Sequence, residues 1–74
     1  MKNLDHILIF STNIKSVSDK VKLQPILDGH KSIQHWNVDQ DDVDCVLRVV
    51  SCQLKHQQII ELIAHHGYEC RELE

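Results

Sequence analysis

The succession of short periodic segments is the feature that most constrains how this chain folds. Residues 4–11 contain an apolar, β-branched run that predicts a strand with little solvent on either face. Residues 33–39 and 45–50 predict a hairpin around an acidic turn, and residues 69–73 predict a short last strand. Two helical patterns separate these strands. The order β-α-β-β-α-β predicts an α+β fold of the ferredoxin-like split type, with a four-stranded antiparallel sheet in the order 4-1-3-2 and two helices on one face.

The two predicted helices are indicated by apolar residues at helical spacing. The first has a helical period and ends at residues 28–30; the period is carried by Val17, Val21, Leu23, Gln24, Ile26 and Leu27. The second covers residues 55–66, with Ile59, Leu62, Ile63 and His66 on one stripe. Gly67 follows as the C′ residue that stops the helix. On this stripe, His66 is expected at the core or its boundary rather than as a metal ligand.

Length and charge limit the classes of function. A chain of 74 residues allows a single domain over residues 1–74, too small for a deep solvent-excluded cavity. Its net charge of −3 argues against nucleic acid as the main partner. No run approaches the roughly twenty apolar residues of a membrane span, and the N-terminus has no signal-peptide core. With an odd number of cysteines, these features predict reduced thiols and a cytoplasmic protein.

Two short motifs resemble those of a known family. Residues 36–39 (Trp-Asn-Val-Asp) end the second strand, and residues 64–68 (Ala-His-His-Gly-Tyr) end the second helix. Together with the predicted layout, they resemble a heavy-metal-associated domain, the fold of small copper chaperones and of the N-terminal modules of metal-pumping ATPases. The resemblance covers roughly residues 7–73 and implies a role near metal transport or homeostasis.

The loop that defines this family is altered here. The family holds monovalent copper with a Thr-Cys-x-x-Cys loop, and the corresponding run is residues 12–16. Thr12 is kept, but Asn13 and Ser16 stand where the two cysteines would be. Thiolates hold monovalent copper because they are soft, whereas a carboxamide and a hydroxyl are hard ligands. The resemblance therefore implies neither thiolate copper binding nor a cofactor.

Asn13 and Ser16 have two interpretations. Both are favoured N-cap types, and Ser16 with Asp19 three residues later resembles a capping box, so a structural role at the start of the first helix is the favoured one. Alternatively, the amides at this helix N-terminus hold an anion or a partner's carboxylate, with help from Lys15.

The cysteines are predicted to lie apart. Cys45 and Cys70 start the third and fourth strands with the first strand between them, which places their backbones about 9–10 Å apart, beyond the reach of a disulfide. Cys52 falls at the opposite end of the sheet. We expect Cys45 and Cys70 to be small core residues.

The adjacent histidines leave one metal alternative open. His65 should be exposed near the hairpin tip, where Asp41 or Asp42 could complete a weak zinc or nickel site with it, and His66 is a further candidate ligand. Adventitious surface binding is the favoured interpretation of these residues. No cysteine follows the turn into a helix N-terminus in a recognisable way, and the acidic turn lacks the pattern of a calcium loop, so we expect no enzyme activity.

Alternation along the strands predicts two different sheet faces. The face toward the helices receives Leu8, Phe10, Trp36, Val38, Leu47 and Val49. The other face receives Ile7, Ile9, Val46, Arg48 and Val50. An apolar strip on that outer face would suit a protein partner or a second copy of the chain, whereas a one-residue register slip or ordinary exposed valines would remove it.

These features predict a non-enzymatic binding module that docks to a protein through the loop end of the domain. The expected partner contacts are Thr12, Asn13, Lys15, Ser16, His65 and Tyr68. The alternatives are a metal-binding domain that uses His65, His66 and nearby acids, and an interaction or oligomerisation domain with no link to metals.

Overall fold

The computed structural model describes residues 7–73, and its elements follow the predicted succession of strands and helices. They are β1 (Ile7–Thr12), α1 (Val17–Asp28), β2 (His35–Asp39), β3 (Val46–Val50), α2 (His56–His65) and β4 (Cys70–Glu72). An α+β architecture with a four-stranded antiparallel sheet and two helices is therefore confirmed. The predicted strand residues 4–6, and the N-terminal segment tested for a signal peptide, lie outside the described residues.

The strands lie in the order β2-β3-β1-β4, and every neighbouring pair is antiparallel. In the central pair, Leu8 lies opposite Val49 and Phe10 opposite Leu47. Because side chains alternate along a strand, these four share one face, and all four are buried. The predicted core face is confirmed, with Val38 also buried and Trp36 partly buried against it.

Both helices pack onto this same core. Leu23 and Leu27 of α1 join Ile59 and Ile63 of α2 and the buried strand residues in one apolar cluster. Ile26 packs against this cluster, but Val17 and Val21 of the predicted α1 period stay outside it, at 71% and 56% exposed. The buried stripe of α1 is therefore narrower than its apolar residues suggest.

His66 is a correction to the predicted α2 stripe. The helix ends at His65, and His66 is exposed as its C-cap residue instead of continuing the stripe into the core. Its Nδ1 lies 2.9 Å from the Leu62 carbonyl oxygen. The imidazole therefore pairs with the last turn of its own helix.

Local sequence explains where both helices begin or end. The Ser16 hydroxyl accepts the Asp19 N–H at 3.0 Å, and the Asp19 carboxylate accepts the Ser16 N–H at 3.3 Å, so the predicted capping box is confirmed. At the end of α2, Gly67 has a φ of +90°. The Gly67 and Tyr68 N–H groups donate to the Ala64 and Ile63 carbonyls, which is a Schellman motif.

The outer face of the sheet carries less exposed apolar surface than expected. Ile7 pairs with Val50 and Ile9 with Arg48, so the register places these side chains on the face away from the core. Ile7 is 40% exposed, but Ile9 and Val50 are half-buried and Val46 is only 4% exposed. The one-residue register slip is therefore excluded, and the exposed part of the predicted apolar strip is limited to Ile7.

Candidate functional site

Three connections meet at one end of the sheet, which we call the loop end: residues 12–16 between β1 and α1, residues 40–45 between β2 and β3, and residues 66–69 between α2 and β4. Every predicted partner contact lies in these connections or at the last residue of α2. The topology requires this meeting, because β1 and α2 run toward this end and β3 and β4 run away from it. The hydrogen bonds across it decide which side chains remain available.

Thr12 fastens the first connection to the start of β3. Its hydroxyl donates to the Cys45 carbonyl at 2.7 Å and accepts the Ile14 N–H at 3.2 Å. Its own N–H donates to the Asp44 carbonyl at 2.9 Å. The side chain is half-buried, and both hydrogen-bonding roles of its hydroxyl are used within the chain. Thr12 therefore supports the loop end and offers little to a partner.

Asn13 does not cap α1, which corrects the favoured interpretation for this residue. Its side-chain oxygen accepts the Glu69 N–H at 2.8 Å, and its own N–H donates to the Glu69 carbonyl at 3.3 Å. This reciprocal pair joins residues 56 positions apart in sequence. Asn13 thus closes the gap between the first connection and the start of β4.

Ser16, Asp19 and Tyr68 form a second link across the loop end. The Tyr68 hydroxyl donates to the Asp19 carboxylate at 2.9 Å, and the same carboxylate completes the capping box with Ser16. The Tyr68 hydrogen bond, and then those from Ser16, lower the pKa of Asp19. The bond to Asp19 raises the pKa of Tyr68. The spacing of Ser16 and Asp19 predicts the capping box, but no sequence signal indicates the connection to Tyr68, which lies 49 positions from Asp19.

Gln40 ties the hairpin to the same loop. Its side-chain amide donates to the Ser16 carbonyl at 2.7 Å and to the Ile14 carbonyl at 3.3 Å. Nothing in the sequence singled out Gln40, because a glutamine in a polar turn gives no signal of a long-range partner. With Gln40, three connections are joined to one another by side-chain hydrogen bonds.

Several side chains at the loop end remain exposed after these bonds are made, among them Lys15 and Val43. Lys15 lies in the middle of the first connection, and Val43 at the hairpin tip is 93% exposed. Both line a shallow groove of about 460 Å³ that also contacts Asp44, Glu69 and Arg71. The groove therefore combines both signs of charge with one apolar residue at its rim.

The cysteines of the loop end cannot act together. Cys70 lies directly opposite Thr12 in the β1–β4 pair, and the Thr12 hydroxyl contacts the Cys45 carbonyl on the other side, so β1 separates the two cysteines as predicted. Cys45 is 5% exposed. Burial raises the pKa of the half-buried Cys70 thiol from 9.0 to about 12, which keeps it protonated at neutral pH. Cys52 is exposed in the connection between β3 and α2.

The histidine alternative is not assembled in the part of the chain that the structure describes. Across residues 7–73, no group of three or more His, Cys, Asp or Glu side chains could hold a metal ion. His65 is exposed, and its ring meets that of His66 edge to face at a centroid distance of 5.2 Å. At the hairpin tip, the Asp42 carboxylate accepts the Asp44 N–H at 2.9 Å and so serves the turn itself.

Comparison of this chain with protein-family models, with curated proteins and with solved structures gives no match. Within residues 7–73, neither helix has the length and apolar character needed to cross a membrane.

Proposed function

We propose that this chain is a non-enzymatic binding module that docks to a protein partner through its loop end. In this proposal, its fold is the ferredoxin-like split type of a heavy-metal-associated domain, and its role lies near metal transport or homeostasis in the cytoplasm. The strand order β2-β3-β1-β4, with a helix after β1 and after β3, supports the fold assignment. The motifs at residues 36–39 and 64–68 support the family.

The observation that carries the proposal is a contrast between two groups of side chains at the loop end: one group is hydrogen-bonded within the chain, and the other is exposed to solvent. The polar side chains of Thr12, Asn13 and Ser16 are occupied by bonds within the chain. Lys15 and Val43 project from this fixed frame into solvent. A pre-ordered surface loses little conformational entropy on association, and its charged groups can orient a partner. Protein docking therefore suits this end of the molecule better than ligation of a small ion.

The chemistry of the former metal loop supports docking without copper. Asn13 and Ser16 offer only hard oxygen atoms, and both oxygens already accept backbone N–H groups. The nearest thiols are the buried Cys45 and the Cys70 thiol with its raised pKa. Titration with monovalent copper under reducing conditions, in competition with a chelator, should show no stoichiometric binding. Tight binding of one copper per chain would contradict the proposal.

Site-specific photo-crosslinking tests the docking surface. A photo-reactive residue at position 15 or 43 should give the same defined adduct with another protein in cells. The matched control is position 31, an exposed lysine in the connection between α1 and β2 at the other end of the sheet. Adducts with a second copy are recognised by a mass of twice 8.6 kDa. Equal crosslinking from position 31, or no heterologous adduct from positions 15 and 43, would overturn the proposal.

A further inference from the structure

The outer edge of β2 borders a groove that the proposed docking function does not use. β2 is the last strand on its side of the sheet, so no other strand within residues 7–73 pairs with its outer edge. A groove of about 370 Å³ separates this edge from α1. Its walls include Lys20, Gln24 and Asp28 on the helix, and His35 and Asn37 on the strand. Unpaired strand edges are templates for pairing with another chain.

An exposed stripe on α1 that contains two valines lies on the same side. Val17, Val21, Gln24 and Asp28 follow one another at spacings of four, three and four residues, which places them on one helix face. Gln24 and Asp28 line the groove, so the stripe faces the side of the open strand edge. Val17 and Val21 are 71% and 56% exposed, an unusual position for two β-branched apolar residues of one helix.

The sequence of β2 is complementary to itself in antiparallel pairing. His35, Asn37 and Asp39 share the outer face of the strand. If a second copy of β2 pairs antiparallel about Asn37, each His35 lies opposite an Asp39 and the two Asn37 amides meet. On the core side, each Trp36 lies opposite a Val38, an aromatic and β-branched cross-strand pair.

The groove side of α1 has the same kind of complementarity. Lys20, Gln24 and Asp28 are spaced four residues apart, so an antiparallel second helix centred on Gln24 places each Lys20 opposite an Asp28. A positive end, a neutral centre and a negative end thus occur in α1, and in β2 the His35 imidazole can donate a hydrogen bond to the Asp39 carboxylate of the second copy. An unrelated extended peptide is not expected to match the patterns of both β2 and α1.

A single twofold axis is compatible with both the β2–β2 pairing and the α1–α1 pairing. β1 and β2 each run antiparallel to β3, so they are parallel to each other, and the α1 that connects them runs antiparallel to β2. The Trp36 ring N–H donates to the Asp28 carboxylate at 2.7 Å, which fixes the register between strand and helix. From that bond, the four helix residues to Gln24 rise about 6 Å, and two strand residues rise about 6.6 Å. Gln24 is therefore level with Val38, within one residue of the centre at Asn37.

We propose that the β2 edge and the face of α1 that carries Lys20, Val21, Gln24 and Asp28 form the interface of a symmetric homodimer. Two antiparallel β2 strands join the two sheets into one, the two α1 helices cover the joint, and four Lys20–Asp28 and His35–Asp39 pairs fix the register. A symmetric contact of this kind uses the same patch on both copies. Because a five-residue strand and one helix bury less than a standard interface of about 1,600 Å², we expect a dimer that dissociates on dilution.

Sedimentation of the full chain tests this proposal with charge reversals. The wild type should sediment as a dimer at high concentration and dissociate on dilution. In the dimer, Lys20→Glu places a glutamate opposite Asp28 of the second copy at two symmetry-related positions. His35→Asp likewise places an aspartate opposite Asp39 at two positions. Each change should raise the dissociation constant roughly tenfold or more. Lys22→Glu is the matched control, because Lys22 is an exposed α1 lysine that does not line the groove, and it should leave the constant unchanged.

Amide NMR shifts on dilution locate the interface independently of these variants. The largest changes should fall on residues 35–39 and on the α1 face that carries Val21 and Gln24. A wild type that stays monomeric up to millimolar concentration would overturn the proposal. So would equal weakening by Lys20→Glu and Lys22→Glu, or dilution shifts centred on Ile7 and Val50 of the outer sheet face. Far-UV circular dichroism establishes that each variant is folded before its dissociation constant is read.

Discussion

The two ends of the sheet are closed in different ways. At the loop end, hydrogen bonds are spread over several partly exposed side chains, among them Thr12, Asn13 and Gln40. At the far end, formed by residues 29–34 and 51–55, a buried hydroxyl joins the two segments beside an exposed side-chain pair, Ser32 with Gln53. Ser51 is 3% exposed, donates to the Ser32 carbonyl at 2.6 Å and accepts the Gln53 and Leu54 N–H groups.

Because of this difference, substitutions at the two ends of the sheet should affect different properties of the protein. At the far end, the Ser51 hydroxyl is buried and makes all of its hydrogen bonds within the chain. The distributed network at the loop end holds three connections in place while Lys15 and Val43 stay in solvent. We therefore expect single substitutions to be most costly at the far end. At the loop end, substitutions at buried positions should lower the free energy of unfolding through structural changes, and substitutions at exposed positions should have small electrostatic effects.

The largest effect is expected from Ser51→Ala. The change removes the donor to the Ser32 carbonyl and the acceptor for two N–H groups in a buried position. Leaving such groups unsatisfied should lower the free energy of unfolding by about 2–3 kcal/mol. Urea unfolding measures it, with Ser18→Ala on the exposed face of α1 as a control that changes stability by less than about 0.5 kcal/mol. A cost below that of the control would remove the contrast between the ends.

A smaller effect is expected from Cys45→Val at the loop end. Cys45 has a φ of +45°, a left-handed conformation that disfavours β-branched residues. Valine is apolar and close to cysteine in size, yet we expect it to lower the free energy of unfolding by about 1–2 kcal/mol because of this backbone strain. Cys70→Val is the matched control, since Cys70 lies in β4, where β-branched residues are favoured. Equal costs for the two variants in urea unfolding would show that the conformation of Cys45 does not matter.

The features that could be predicted from the sequence are local or periodic. Alternation along β1, β2 and β3 predicted the core face, and the spacing of Ser16 and Asp19 predicted the capping box, because both depend on neighbours a few residues apart. Gly67 signalled the end of α2 for the same reason.

The features that could not be predicted depend on distant partners. The residue type of Asn13 favours a cap, but the Glu69 N–H offers it a better-placed donor once β4 has paired with β1. The left-handed Cys45 has no sequence signal, because glycine or asparagine usually marks such a position. Its conformation is set by the turn before it, in which the Cys45 N–H donates to the Asp42 carbonyl at 2.9 Å.

The smallest effect concerns the partly exposed pair of Asp19 and Tyr68, and it should depend on pH. The pKa of Asp19 in the folded chain lies below its ordinary 3.8, chiefly through the Tyr68 hydrogen bond. The ionised carboxylate therefore stabilises the fold above pH 3.8, and this contribution is lost as the pH falls through the lowered pKa. Wild type should melt at a higher temperature than Asp19→Asn at neutral pH, and the difference should vanish in acid.

Tyr68→Phe sharpens this last test, because it removes the largest cause of the shift and keeps the aromatic ring. An NMR titration of the Asp19 carboxyl should give a higher pKa in Tyr68→Phe than in wild type. Because the pair is partly exposed, added salt should reduce the difference in melting temperature further. If the difference between wild type and Asp19→Asn is the same at all pH values, the bond across the loop end contributes only as a cap for α1. The distributed network would then be weaker than its geometry indicates.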